Sequence, residues 1–298
     1  MANLAYNMRI HKGLKMSVLC MSVDTSAFMK RNEYYLWYKG IYIKYLRKNK
    51  PDGSKDLNYS DSILSFANSS FEEKEIWRKM AECVRAWAYA NDLDINLVPG
   101  FINYCHTSPD QIKKIQNMYS EPKRCAFERT FVPGTEFVRI ANIDTDEKAE
   151  LLRLYTEANS NFNIYFQILF FWHTIVYPSG NDDTAAQYIN DHIIYAEQSK
   201  GEGFYRRELF RGAFDRADTT NIGGYIKSKI RHAIAHIVRH GHQNLIIDDI
   251  EQRHHLNCVV MLLKDIARYK LDNDYDFKIN APISICRLVN PDEENFTN

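Results

Sequence analysis

The chain has no excess of either charge: across 298 residues, 38 Lys and Arg balance 38 Asp and Glu. Neutrality removes the bulk electrostatic signature of a general nucleic-acid binder, so any such site has to be a local patch. Cysteine is sparse, and Cys20, Cys83, Cys105, Cys125, Cys258 and Cys286 form no CxxC pair. That argues against a zinc ribbon or a disulfide framework and for free thiols in a reduced compartment. No apolar run reaches the roughly 20 residues of a membrane helix. The most apolar stretch, 164–177, contains Gln167 and His173 and reads as a buried core helix. The first residues lack the basic-then-apolar plan of a secretion signal, so the expected location is cytoplasmic, without membrane attachment. There is no G-x-x-x-x-G-K-[ST] phosphate loop and no HExxH motif, which removes those signatures of nucleotide hydrolysis and zinc peptidase chemistry. Internal repeats and low-complexity segments are also missing.

What is present describes a globular protein, with 45% hydrophobic and 26% charged residues and enough apolar material for a sizeable core. Aromatics are plentiful and read mainly as core and interface. Segments 14–23 and 34–43 are rich in β-branched and aromatic residues, as strands are. The stretch 49–58, with Pro51-Asp52-Gly53, is a loop. Helical spacing appears over 70–91, opened by a Ser70/Glu73 capping box. A short strand over 92–98 should run into a turn at Pro99-Gly100, and Ser108-Pro109-Asp110 opens a short helix. Residues 121–143 read as irregular chain with one or two strands.

After Asp144 the pattern turns helical over 146–177, 183–199, 202–217, 222–240 and 248–269, with Gly180-Asn181-Asp182 among the breaks. A strand-like piece, 283–289, lies in the tail. The expected fold is α+β: a mixed α/β region over 1–143, with a sensing or partner-binding role, and an all-α helical bundle over 144–298 that ends in a short C-terminal extension.

The segment 221–240 holds Lys227, Lys229, Arg231 and Arg239 and no acidic residue, a local basic patch in a neutral chain. On an ideal helix Ile226, Ile230, Ala233, Ile234 and Ile237 share one side, and Tyr225, Lys229, His232, His236, Arg239 and His240 the other. Arg231 then falls about 140° around from His236, so the pair must meet by wrapping or across an interface. An arginine clamps phosphate with a planar fork of donors, and a histidine moves protons near neutral pH.

Arg231-His232-Ala233-Ile234-Ala235-His236, an arginine followed after four residues by a histidine on a late helix of a bundle, resembles the HEPN superfamily of nucleotide-binding helical domains. The resemblance covers about residues 144–272. It implies a metal-independent endoribonuclease without cofactor, acting on RNA through a composite Arg/His site where two bundles form a homodimer. Family members include toxins with antitoxin partners, effectors of antiviral defence, and inactive binding modules. RNA brings its own nucleophile, the 2′-hydroxyl, so the chemistry requires only proton transfer and charge stabilisation. His236 is the expected general acid or base, and Arg231 the stabiliser of the phosphorane charge. His232 would position RNA or supply the second proton-transfer group, and Lys227, Lys229, Arg239 and His240 would hold the RNA.

Each residue also has a plainer reading: Arg231 as a salt bridge to a neighbouring helix, the histidines as structural imidazoles, the lysines as a solvated face. Two other functions stay open. One is an inactive module that binds a nucleotide, an RNA or a partner. The other is zinc binding by the His232/His236/His240 series with His254-His255, although Ala233, Ile234 and Ala235 supply no catalytic glutamate. Asp182, Asp183, Asp248 and Asp249 read as helix-start residues that cap backbone N–H groups.

Overall fold

A computed structural model describes residues 16–25, 27–29, 33–47, 61–68, 72–103, 132–135, 140–198, 200–209, 221–235, 250–277 and 279. They divide into two compact units, one running up to Asn142 and including Ile279, the other formed by Ile143–Lys278. The architecture is α+β, with a sheet unit and a helical bundle. Ile279 pairs with Ala141 in an antiparallel bridge, so that position belongs with the sheet unit rather than with the bundle.

The sheet unit is built on strands β1 (Met16–Thr25), β3 (Glu33–Tyr38), β4 (Ile41–Leu46), β5 (Asp61–Asn68) and β6 (Ile95–Asn103), in the order β3-β4-β5-β1-β6 with antiparallel neighbours. β2 (Ala27–Met29) and β7 (Val132–Thr135) make a separate parallel pair. The single strand expected over 34–43 is a hairpin instead. Lys39 and Gly40 both take positive φ, 44° and 84°, the conformation a two-residue turn between twisted strands requires. Pro99-Gly100 does not end a strand either. Pro99 lies inside β6, paired with Met21 beside a register shift; β6 is an edge strand, and edge strands and bulges are the places in a sheet that tolerate proline.

Helix α1 (Glu73–Ala90) packs on β1, β4, β5 and β6. Its N-cap is Glu72, without a side-chain capping bond, so the expected Ser70 box does not form the cap. Lys79 Nζ donates to the Lys39 carbonyl at 2.8 Å, and Glu82 accepts from Tyr38 and Lys39, fastening the hairpin turn to α1. Tyr34, Tyr45, Ile63 and Met21 follow one another across the sheet by register and are at most 1% exposed. The Trp87 ring meets Tyr45 at 5.8 Å between centroids.

The bundle begins with α2 (Asp146–Ser160) and α3 (Ile164–Val176). The continuous helix expected over 146–177 is broken because Asn161 and Asn163 offer local side-chain acceptors. Asn161 Oδ1 accepts from Asn163 N at 2.8 Å, and Asn163 Oδ1 caps α3 through Tyr165 N at 2.9 Å. There follow α4 (Asp182–Glu197), α5 (Phe204–Leu209), α6 (Ile222–Tyr225), a π-helical turn (Ile226–Arg231), α7 (His232–Ala235) and α8 (Ile250–Asp274). Leu152, Tyr155, Phe171, Trp172, Ile189, Leu262 and Ile266 form the core.

The α3–α4 connection is held from α8. Lys270, 8% exposed, donates to the carbonyls of Ile175 and, at 2.6 Å, Tyr177. It thus satisfies acceptors left open by the end of α3. No helix among the described residues is long and apolar enough to cross a membrane. The expected loop 49–58, the helix opened by Ser108, the tail strand 283–289, Asp248 and Asp249 lie outside the described residues.

Candidate functional site

The bundle assembles a polar cluster where the first turn of α4 meets the end of α3 and the π turn. Asn181, not an aspartate, caps α4: its Oδ1 accepts from Asp183 N at 2.8 Å. Asp182 and Asp183 occupy the first helical turn, where negative charge suits the dipole, and their carboxylates turn to other partners. Asp182 Oδ1 accepts from the buried Trp172 indole N–H at 2.8 Å. Its Oδ2 lies 2.9 Å from Arg231 Nη1 and 3.6 Å from His232 Nε2. One carboxylate therefore pairs with a cation and lies beside the imidazole that follows it in sequence.

The π turn explains how Arg231 arrives there. Asn221 caps α6, accepting from Gly224 N at 2.9 Å, while Asn190 on α4 accepts from Gly223 N at 2.8 Å. Gly223 lies so close to α4 that a Cβ would stand 1.9 Å from the Ala186 carbonyl oxygen. The His232 N–H then bonds to the Lys227 carbonyl, five residues back, which widens the turn and shifts the phase of the helix. Ile226, Ile230 and Ile234 are buried as the ideal helix predicts. Tyr225, expected on the outer side, is 5% exposed, and its hydroxyl lies 3.1 Å from His255 Nε2. The angles drawn for an unbroken α-helix do not hold across this segment.

Arg231 is thus salt-bridged to a neighbouring helix, one of the plainer readings of the sequence. Its Nε is buried and meets no acceptor among the described residues, so part of the guanidinium is desolvated without compensation. Lys227 pairs with Asp183 and Lys229 is exposed. Of the three described cations of the patch read from 221–240, two are met by the first turn of α4, where Asp182 meets Arg231 and Asp183 meets Lys227. His236, Arg239 and His240 lie outside the described residues. Of the zinc series, His232 is described, and it faces Asp182.

Two members of the cluster were missed by sequence reasoning. Asp182 was read as a cap, because its partners in space are distant in sequence. His173, on α3, belongs to the same electrostatic neighbourhood. Partial desolvation holds its imidazole below the ordinary range, the Arg231 charge adds to that, and Asp182 opposes it. Its signal was a titratable side chain in the most apolar segment of the chain. Together Asp182, Arg231, His232 and His173 offer one anion, one fixed cation and two imidazoles at an edge of the bundle, with 24%, 21% and 36% of the Asp182, Arg231 and His232 side chains in solvent. Such a set can hold an oxyanion and move a proton beside it. No known protein family, curated protein or solved structure matches the chain.

Proposed function

We propose that the chain is a metal-independent endoribonuclease of HEPN type that cleaves RNA at a site completed by a second copy of itself. The observation that carries the reading is the meeting of Arg231 and His232 on the Asp182 carboxylate. It gives the arginine of the sequence pattern a fixed orientation and keeps an imidazole beside it. In this reading the 2′-hydroxyl attacks the adjacent phosphorus and the bond to the 5′-oxygen breaks. His236, placed by the sequence pattern, takes or returns the proton. Arg231 stabilises the phosphorane charge, and Asp182 is a positioning residue that holds Arg231 and His232. His232 supplies the second proton-transfer group or positions RNA, with Lys229 and Arg239 on flanking phosphates. Lys227 joins them only by leaving Asp183. A role as a toxin or antiviral-defence effector belongs to the same proposal.

One observation favours a second reading, an inactive module that binds RNA, a nucleotide or a partner. Arg231 is already neutralised by Asp182 and has its Nε buried. A cleavage assay on RNA in EDTA, with circular dichroism in the same buffer, separates the two. The nuclease reading expects cleavage to persist. Removing the charge stabiliser in Arg231→Ala should slow it by about 10²–10³-fold. Removing the proton-transfer group in His236→Ala should slow it by about 10²–10⁴-fold. RNA left intact by a folded protein selects the module, and cleavage abolished by EDTA with the fold retained rejects a metal-independent reaction.

A further inference from the structure

We propose that Glu208, His254 and Cys258 bind a divalent transition metal ion of the Zn2+ class, with the fourth coordination position left to water. His254 and Cys258 stand four residues apart on α8, the spacing that brings two side chains onto one helical face. Glu208 comes from α5, which Tyr205 holds to α8 by a hydrogen bond to Asp265. The three donor atoms lie within 4.8 Å of one another. His254 Nε2 is 3.4 Å from Glu208 Oε2 and 3.8 Å from Cys258 Sγ.

Those separations fit the edges of a coordination tetrahedron. With Zn–S of about 2.3 Å and Zn–N and Zn–O of about 2.0–2.1 Å, tetrahedral angles put S and N about 3.6 Å apart and N and O about 3.4 Å apart. One sulfur, one imidazole nitrogen and one carboxylate oxygen form a donor set for a borderline cation. Mg2+ and Ca2+ prefer oxygen alone. The site is accessible from one side, since the His254 side chain is 63% exposed while Cys258 is buried. Burial, and then the Glu208 charge, hold the Cys258 thiol above its ordinary range.

The plain alternative is an exposed His254–Glu208 pair beside a buried, hydrophobic cysteine. The metal site shares His254 with the zinc alternative drawn from the sequence, but its other ligands are Glu208 and Cys258 in place of His232, His236, His240 and His255. Metal binding at Glu208, His254 and Cys258 is read by spectroscopy alone, independently of RNA cleavage.

The test is titration of the full chain, stripped with chelator and reduced, with Co2+. The expected result is one equivalent bound per chain, with intense tetrahedral d–d bands and a thiolate-to-Co2+ charge-transfer band, both displaced by Zn2+. Cys258→Ser should lose the charge-transfer band. Loss of an outer-shell partner alone weakens metal sites by about 10–100-fold, so loss of the ligand in His254→Ala should weaken Co2+ by at least that much. His254 is exposed, so this variant keeps the test valid if Cys258→Ser fails to fold, as checked by circular dichroism of the metal-free proteins. Absence of stoichiometric binding overturns the proposal. So does a weak octahedral spectrum without charge transfer, or a band that survives in folded Cys258→Ser and so arises from another cysteine.

Discussion

In the sheet unit one ionisable pair, Asp61 with Tyr45, is enclosed completely. Asp61, 1% exposed, accepts at 2.5 Å from the hydroxyl of Tyr45, which is 0% exposed. Burial, reinforced by Asp61, holds the Tyr45 phenol well above its ordinary range, so it stays a donor. In the helical unit Asp182 serves Trp172, Arg231 and His232 while about a quarter of its side chain remains in solvent. The first arrangement holds a fold together, because nothing from outside can compete for its hydrogen bond. The second can exchange partners, because an incoming anion can reach Arg231 and His232 without unfolding the core. Completeness of enclosure, more than the presence of charge, separates a structural polar pair from a candidate site.

The sharpest test of that difference is at Gly223. A methyl group there collides with the Ala186 backbone, and neither helix can yield locally. Gly223→Ala should destabilise the bundle by about 3 kcal/mol in urea unfolding and shift the π turn, removing RNA cleavage. Gly224→Ala meets the Asn221 side chain, which can rotate away, so its effect should be smaller. Equal behaviour of the two variants would mean that α6 does not fix Arg231 against α4.

Tyr45→Phe probes the other side of the comparison. It leaves a buried carboxylate without the Tyr45 donor and should cost about 2–3 kcal/mol. Cleavage per folded molecule should stay as in the unmodified chain. A fall in that specific rate would show that the enclosed pair is more than structural.

These differences also mark what the sequence could and could not reveal. The helices over Asp146–Ser160 and Asp182–Glu197 were legible because helical apolar spacing begins after Asp144 and resumes after the Gly180-Asn181-Asp182 break. The break at 161–163 was not, since the apolar pattern runs through it and only the two asparagines compete with the backbone. The Lys39-Gly40 hairpin was hidden inside a uniform strand composition. At the site, Arg231 and His232 were visible as types at a spacing. Asp182 was not, because pairing across helices leaves no local pattern, and periodicity at 100° per residue cannot register a π turn. Tyr225 was placed on the wrong side for that reason.

The finest measurement follows the charges of the cluster itself. His173 titrates below the ordinary imidazole range through desolvation first and Arg231 second, with Asp182 acting the other way. In an NMR titration Arg231→Ala should raise the His173 pKa toward the ordinary value, about 6.5. Asp182→Asn should lower it further, provided Arg231 stays in place. The same shift fixes the sign of a small pH effect on stability. A depressed folded-state pKa means that the unfolded chain takes up the proton first as pH falls. Neutral His173 therefore contributes its stability above about pH 6.5 and loses it progressively below, until the folded protein also binds the proton. Arg231→Ala should flatten that acid limb and Asp182→Asn should steepen it. A His173 pKa that ignores both substitutions would remove it from the cluster and leave Asp182, Arg231 and His232 as the whole of the candidate site.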